Sequence, residues 1–162
     1  MNKKASMLLP EETIKIIVAA LCIGFLAFIL ISIYLSVTGE NNKIYAEASV
    51  KNVISPEITS INNGEPFKSQ GIPVPNPNGW FIFSFVGTEL KPDLCTGQNC
   101  LCICEDVTYI GNWAKRLAKK CDDKGSCVVV SNLKKFDKIL IGRGGVGILI
   151  KKVNNEIEIT KK

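Results

Sequence analysis

Six cysteines, Cys95, Cys100, Cys102, Cys104, Cys121 and Cys127, are the side chains of this 162-residue chain best equipped for chemistry. Thiols at this density close disulfides, bind soft metals or exchange disulfides with a partner. The sequence contains no histidine. This excludes Ser-His-Asp and Cys-His nucleophile systems, HExxH metalloproteases, Cys/His zinc fingers and imidazole proton shuttles. Cys100, Cys102 and Cys104 alternate along one apolar run, so on a strand their side chains share a face while Leu101 and Ile103 take the other. Neighbours two apart on a strand have Cα atoms about 6.6 Å apart and parallel side chains, which is poor disulfide geometry. Each strand cysteine therefore needs a partner among Cys95, Cys121 and Cys127. Six cysteines admit 15 full pairings; the restriction leaves six and disfavours the local bridge Cys121–Cys127. The Cys-x2-Cys knuckles of structural zinc and rubredoxin-like sites are missing, as is a CxxC redox motif. Six paired structural cysteines, with no catalytic residue, metal site or cofactor, are the expectation.

Three other patterns weigh less. Gly142-Arg143-Gly144-Gly145-Val146-Gly147 fits GxGxxG, yet Ile148 to Val153 after it reads as a strand, where the dinucleotide fingerprint needs a helix. A glycine-rich turn between strands is expected there. Asp122-Asp123-Lys124-Gly125 lacks the ligand ladder of a calcium loop and reads as a solvated turn. Lys115, Arg116, Lys119 and Lys120 gather on one helix, but from Glu40 onward 17 basic residues face 13 acidic ones. That excess is too small to imply specific nucleic-acid binding.

The elements that must position the cysteines begin with Trp80 to Val86, where Phe81, Phe83 and Phe85 share one core-facing side of a strand. A second strand is expected from Cys100 to about Val107. A helix follows from Tyr109 to Lys120, with Ile110, Trp113 or Ala114, and Leu117 on one side, Glu105 and Asp106 before it, and Lys119 and Lys120 closing it. Val128 to Val130 and Ile139 to Ile141 read as short strands. Val146 to Val153 and Glu156 to Thr160 flank Asn154-Asn155, a two-residue hairpin signal. Residues 80–162 thus form a small α+β domain, mostly antiparallel β. Residues 62–79 carry Pro66, Pro73, Pro75 and Pro77 among glycines and asparagines, the composition of an extended spacer unsuited to a central strand. Before them, residues 40–61 open on a polar break at Thr38 to Asn42. They continue as a short helical segment with Ile44, Ala48 and Val50 to Ile54 loosely spaced, ending before Pro56.

Residues 16–39 contain no charge, and at about 1.5 Å per residue they cover a bilayer core of roughly 30 Å. Every face is apolar, and Tyr34 near the far end suits a headgroup position. The reading is a retained signal anchor crossing the lipid bilayer once. Lys3, Lys4 and Lys15 precede it within residues 1–15, while only Lys43 and Lys51 follow closely. This bias puts the N-terminal flank in the cytoplasm and the cysteine-rich domain outside the cell, where disulfides persist. Ala20 and Gly24 form one small-xxx-small pair suited to self-association of the membrane helix.

Two resemblances add to this reading. Asn76-Pro77-Asn78-Gly79-Trp80, then CTGQNCLCIC and CDDKGSC, resembles uncharacterised single-pass surface proteins of archaeal type, which join an N-terminal anchor to a cysteine-bearing β-rich domain. The likeness covers most of the chain and brings no assigned activity. Lys3-Lys4-Ala5-Ser6, then Met7-Leu8-Leu9-Pro10-Glu11 before a long apolar helix, is similar to a type IV pilin leader. A cut after Ser6 would make Glu11 the fifth mature residue. The chain departs from that pattern at Pro10, at the doubled Glu11-Glu12, at Lys15 and at the break around Asn41-Asn42. Together these observations predict a membrane-anchored cell-surface protein, not an enzyme, whose disulfide-stabilised domain binds another surface protein or has a structural role. A pilin-like filament subunit is the alternative, and a membrane-tethered thiol–disulfide or metal-handling protein the third reading.

Overall fold

A computed structural model describes residues 11–64, 71–108 and 111–162. The chain divides into two units, Met1–Thr38 and Gly39–Lys162. The leader-like residues and most of the N-terminal flank lie outside the described residues. Helix α1 (Glu11–Ser49) contains the uncharged segment, whose large apolar side chains stand in the open, Ile16 69% and Leu30 68% exposed. It is the one helix among the described residues long and apolar enough to cross a membrane.

The polar break does not interrupt α1, which runs on past Asn41 and Asn42. A π-helical turn (Val50–Ile54) and α2 (Ser55–Asn62) follow directly, with Pro56 in the first turn of α2 instead of beyond a helix end. Proline removes one N–H from a helix interior, and it stands here directly after the π-helical turn, where the regular α-helical ladder is already interrupted. The buried side includes Val50 and Ile54 of the residues the sequence spaces along this segment, but not Ile44 or Ala48. Ile44 and Ala48 are exposed, whereas Ala46, Val50, Ile54, Ile58 and Ile61 are buried. Their spacing of three to four residues is one helical face, and its burial outweighs the weak helix propensity of Thr38 to Asn42.

That face enters a core shared by two antiparallel sheets. The smaller has the order β1 (Ile72–Val74), β6 (Val146–Val153), β7 (Glu156–Lys161). The expected spacer therefore contains a strand. Pro73 is accommodated because β1 lies at the sheet edge, and Val74 is fully buried. The larger sheet has the order β4 (Ser126–Val129), β3 (Cys100–Cys104), β2 (Phe81–Phe85), β5 (Ile139–Leu140). The β6–β7 hairpin turns at Asn154 and Asn155, both at positive φ (50° and 69°), as the sequence predicted. The glycine-rich turn also leads into a strand, β6. Its Gly145, at φ 82°, admits no side chain, since a Cβ would stand 2.7 Å from the Val74 carbonyl oxygen.

Several boundaries shift. β3 ends at Cys104, short of Val107, and β4 begins two residues before Val128. Helix α3 spans Trp113–Lys124, so Asp122-Asp123-Lys124 is its last turn and not a solvated loop. Tyr109 and Ile110, placed in this helix by the sequence reading, lie outside the described residues. Glu105 and Asp106 do not serve the α3 N-terminus. Glu105 pairs with Lys120 at 2.7 Å and Asp106 with Lys138.

Candidate functional site: a sulfur cluster beneath a helix

The strand period sorts the larger sheet into two chemistries. Ile82, Leu101 and Ile103 face the aliphatic core, while Phe83, Phe85, Cys100, Cys102 and Cys104 form a second core with Leu117 and Cys121 of α3. The register explains the match. Phe81, Phe83 and Phe85 stand opposite Cys104, Cys102 and Cys100, so aromatic rings and sulfurs share one face. The Phe81 and Phe83 ring centroids are 5.9 Å apart and those of Phe83 and Phe85 6.3 Å, and the Lys138 ammonium lies 4.9 Å from the Phe81 ring centre. Sulfur–aromatic and cation–π contacts both favour this arrangement.

Each strand cysteine pairs with one off the strand, as the geometric restriction required. Cys102 bonds Cys127, its direct neighbour across β3 and β4, with Cα atoms 4.1 Å apart. Cys104 bonds Cys121 of α3 across 5.1 Å, and Cys100 bonds Cys95 across 5.7 Å. Cys22, exposed on α1, is the one free cysteine. The pairing is one of the six left open by spacing. Choosing among them needed the β3–β4 register, which is set across a connection that contains α3 and leaves no local signal.

Cys95 is positioned by a residue that sequence reasoning missed. It ends a 3-10 turn (Asp93–Cys95), and the Asp122 carboxylate accepts the backbone N–H groups of Asp93 and Leu94, both at 3.0 Å. Thr96 and Gly97 then adopt positive φ (49° and 77°), and Gln98 N–H closes onto the Cys95 carbonyl at 2.9 Å. Asn99 ties this loop to its neighbours, accepting from Gly87 N–H at 3.0 Å and donating to the Ser131 carbonyl at 3.1 Å. Lys91 donates to the carbonyls of Gly87 and Gly97, at 2.8 and 3.1 Å. An aspartate 27 residues downstream of the cysteine it supports leaves no local signal; only the shared contact with α3 reveals it.

The result is a knot of sulfur. Cys102 Sγ lies 3.8 Å from Cys95 Sγ and 3.9 Å from Cys100 Sγ, so two disulfides are packed against each other. The Sγ atoms of Cys95, Cys102 and Cys127 all fall within 4.8 Å of one another. Cys95, Cys100 and Cys102 are fully buried and Cys127 partly so. Of the remaining residues singled out in the sequence, Lys115, Arg116 and Lys119 are exposed on α3, and Ala20 and Gly24 are exposed on α1. Comparison with protein-family models, with curated proteins and with solved structures finds no match to this chain.

Proposed function

We propose that this chain is a single-pass membrane protein whose disulfide-bonded domain works outside the cytoplasm as an interaction or structural module. The observation that carries the reading is the union, in one chain, of an all-round apolar helix with a domain whose second core is made of three cystines. An apolar helix exposed on every side is costly in water and stable in lipid. Paired cysteines at this density fit an oxidising compartment, and the basic flank fits a cytoplasmic N-terminus. The interaction partner is another surface protein or a second copy. Treating intact cells with a membrane-impermeant amine label, then with added protease, tests the topology. The domain should be labelled and cleaved before lysis; protection until lysis overturns the reading.

The unbroken course of α1 favours a second reading, a pilin-like filament subunit. The early helix end at Asn41-Asn42 that separates this chain from the pilin pattern is absent, since α1 runs on to Ser49. N-terminal sequencing of membrane-extracted protein distinguishes the two. Retention of residues 1–15, less the initiator methionine, is the expected result, because Lys15 would bring a charge into an apolar helix bundle. A chain beginning Met7-Leu8-Leu9 makes the filament reading the leading one.

A further inference from the structure

We propose that Cys95, Cys100, Cys102 and Cys127, once reduced, form a four-thiolate site for a thiophilic d10 cation such as zinc, so that the sulfur knot has a metal-binding as well as a disulfide state. The inference is independent of membrane topology and rests on sulfur geometry. Four sulfurs placed about 2.3 Å from a zinc ion at the corners of a tetrahedron are separated by about 3.8 Å along each edge. Cys102 Sγ already stands at that separation from two others, 3.8 Å from Cys95 Sγ and 3.9 Å from Cys100 Sγ. The same near-equality argues against attack of a freed Cys102 thiolate on the Cys95–Cys100 bond, which needs approach in line with the bond to be broken and therefore one sulfur much nearer than the other. What must change on reduction is the separation within each bonded pair. Side-chain rotation provides this, because the Cα atoms, 5.7 Å and 4.1 Å apart, stay on a backbone held by the β3–β4 ladder and the Asp122 carboxylate.

The surroundings select the ion. Phe83 and Phe85 line the cluster and offer no oxygen ligand, which disfavours calcium and magnesium and suits a soft cation. Cys127, the partly exposed member, lies on β4 at the edge of the sheet and gives an entry path. Cys95, Cys102 and Cys127 have their sulfurs within 4.8 Å of one another; Cys100 adjoins the group through Cys95 and Cys102 and must turn toward Cys127 on reduction, while Cys104 and Cys121 fall outside it. Their bridge holds α3 to the end of β3 and takes no part. The chemistry balances with a dithiol as electron donor. Each cystine takes up two electrons and two protons while one dithiol becomes a disulfide, and a divalent cation bound by the four thiols then displaces their four protons. A disulfide oxidant reverses the sequence: each of two such molecules takes up two electrons and becomes a dithiol while one cystine re-forms, and the ion is expelled.

The test uses the full chain in detergent, reduced anaerobically with excess dithiol, desalted, and titrated with cobalt(II) as a spectroscopic stand-in for zinc. One equivalent should bind with a thiolate-to-cobalt charge-transfer band, displaced by zinc, and the oxidised protein should bind none. Thiol footprinting of the reduced protein with and without zinc, read by peptide mass, should show zinc-dependent protection of Cys95, Cys100, Cys102 and Cys127 and no zinc-dependent change at Cys104, Cys121 and Cys22. Cys127→Ser should weaken cobalt binding on the order of a hundredfold, whereas the double change Cys104→Ser with Cys121→Ser should retain the band. Absence of the band in reduced wild-type protein, tagging unchanged by zinc at all cysteines, or equal zinc-dependent protection of Cys104 and Cys121 overturns the proposal. The footprint needs no variant to fold.

Discussion

Gly125 shows how tightly single residues constrain the sulfur-rich face. It follows α3, and its N–H closes the helix onto the Cys121 carbonyl at 2.9 Å. A Cβ added there would meet Cys104 Cβ and the Cys121 carbonyl oxygen at 2.7 Å and the Ile103 carbonyl oxygen at 2.9 Å. Two of those three atoms are backbone and cannot swing aside. Gly125→Ala should therefore destabilise the oxidised domain by about 1–3 kcal/mol, the usual cost of overpacking. Chemical denaturation of the two proteins side by side measures it, and an unchanged midpoint would show that α3 does not approach β3 this closely. The alternation of Cys100, Cys102 and Cys104 was legible because strand geometry acts between near neighbours. Gly125 and Asp122 look locally like parts of a solvated turn, because their constraints come from atoms distant in sequence.

Elements follow the same division between local and distant causes. The β6–β7 hairpin was legible from its asparagine turn and alternating pattern, and its strand bounds agree with expectation to within a residue. The continuous helix and β1 were not, because Thr38 to Asn42 and the prolines are locally unfavourable and only packing decides against that preference. Ion pairing adds to the hairpin. The Glu158 carboxylate lies 2.5 Å from the Lys134 ammonium and 2.9 Å from that of Lys151, so it joins β7 to β6 and to the chain ahead of β5. Hydrogen bonds from Lys134 and then Lys151 hold its carboxyl below the ordinary carboxylate range, and the Lys134 ammonium is raised in turn by Glu158. A carboxyl lowered on folding contributes stability above its unfolded value and loses it as pH falls through the folded one. Acidification should thus weaken the domain in the carboxylate range, and Glu158→Gln should flatten that limb and lower stability above it by what the two lost pairs contribute. Thermal melts across the acid range compare the two; parallel pH profiles would remove Glu158 from the account.

At the scale of the molecule, the boundary of the folded unit separates what composition suggests from what packing requires. Composition places it at Trp80, after a proline-rich stretch, whereas the structure includes everything from Gly39 in one unit. The difference lies in five large side chains beside Ala46. Val50, Ile54, Ile58 and Ile61 from the helical segment and Val74 from β1 are buried against the β-strands that follow. At about 1.5–3 kcal/mol for each large apolar side chain, their burial is comparable with the roughly 5–15 kcal/mol that keeps a whole domain folded. Disulfides constrain the other core and cannot replace this one, because all six bonded cysteines lie on the opposite side of the larger sheet or in the loop and helix that cover it. A chain begun at Gly39 should accordingly form the three disulfides, unfold cooperatively and stay in the aqueous phase of a detergent phase separation, since the exposed apolar part of α1 is gone. A chain begun at Trp80 should expose Ile148 and Ile150, form mixed disulfides and show no cooperative transition. Circular dichroism melts and non-reducing peptide maps of the two truncations decide it. A Trp80 chain melting like the Gly39 chain would restore the boundary at the end of the prolines and reduce residues 39–79 to a tether.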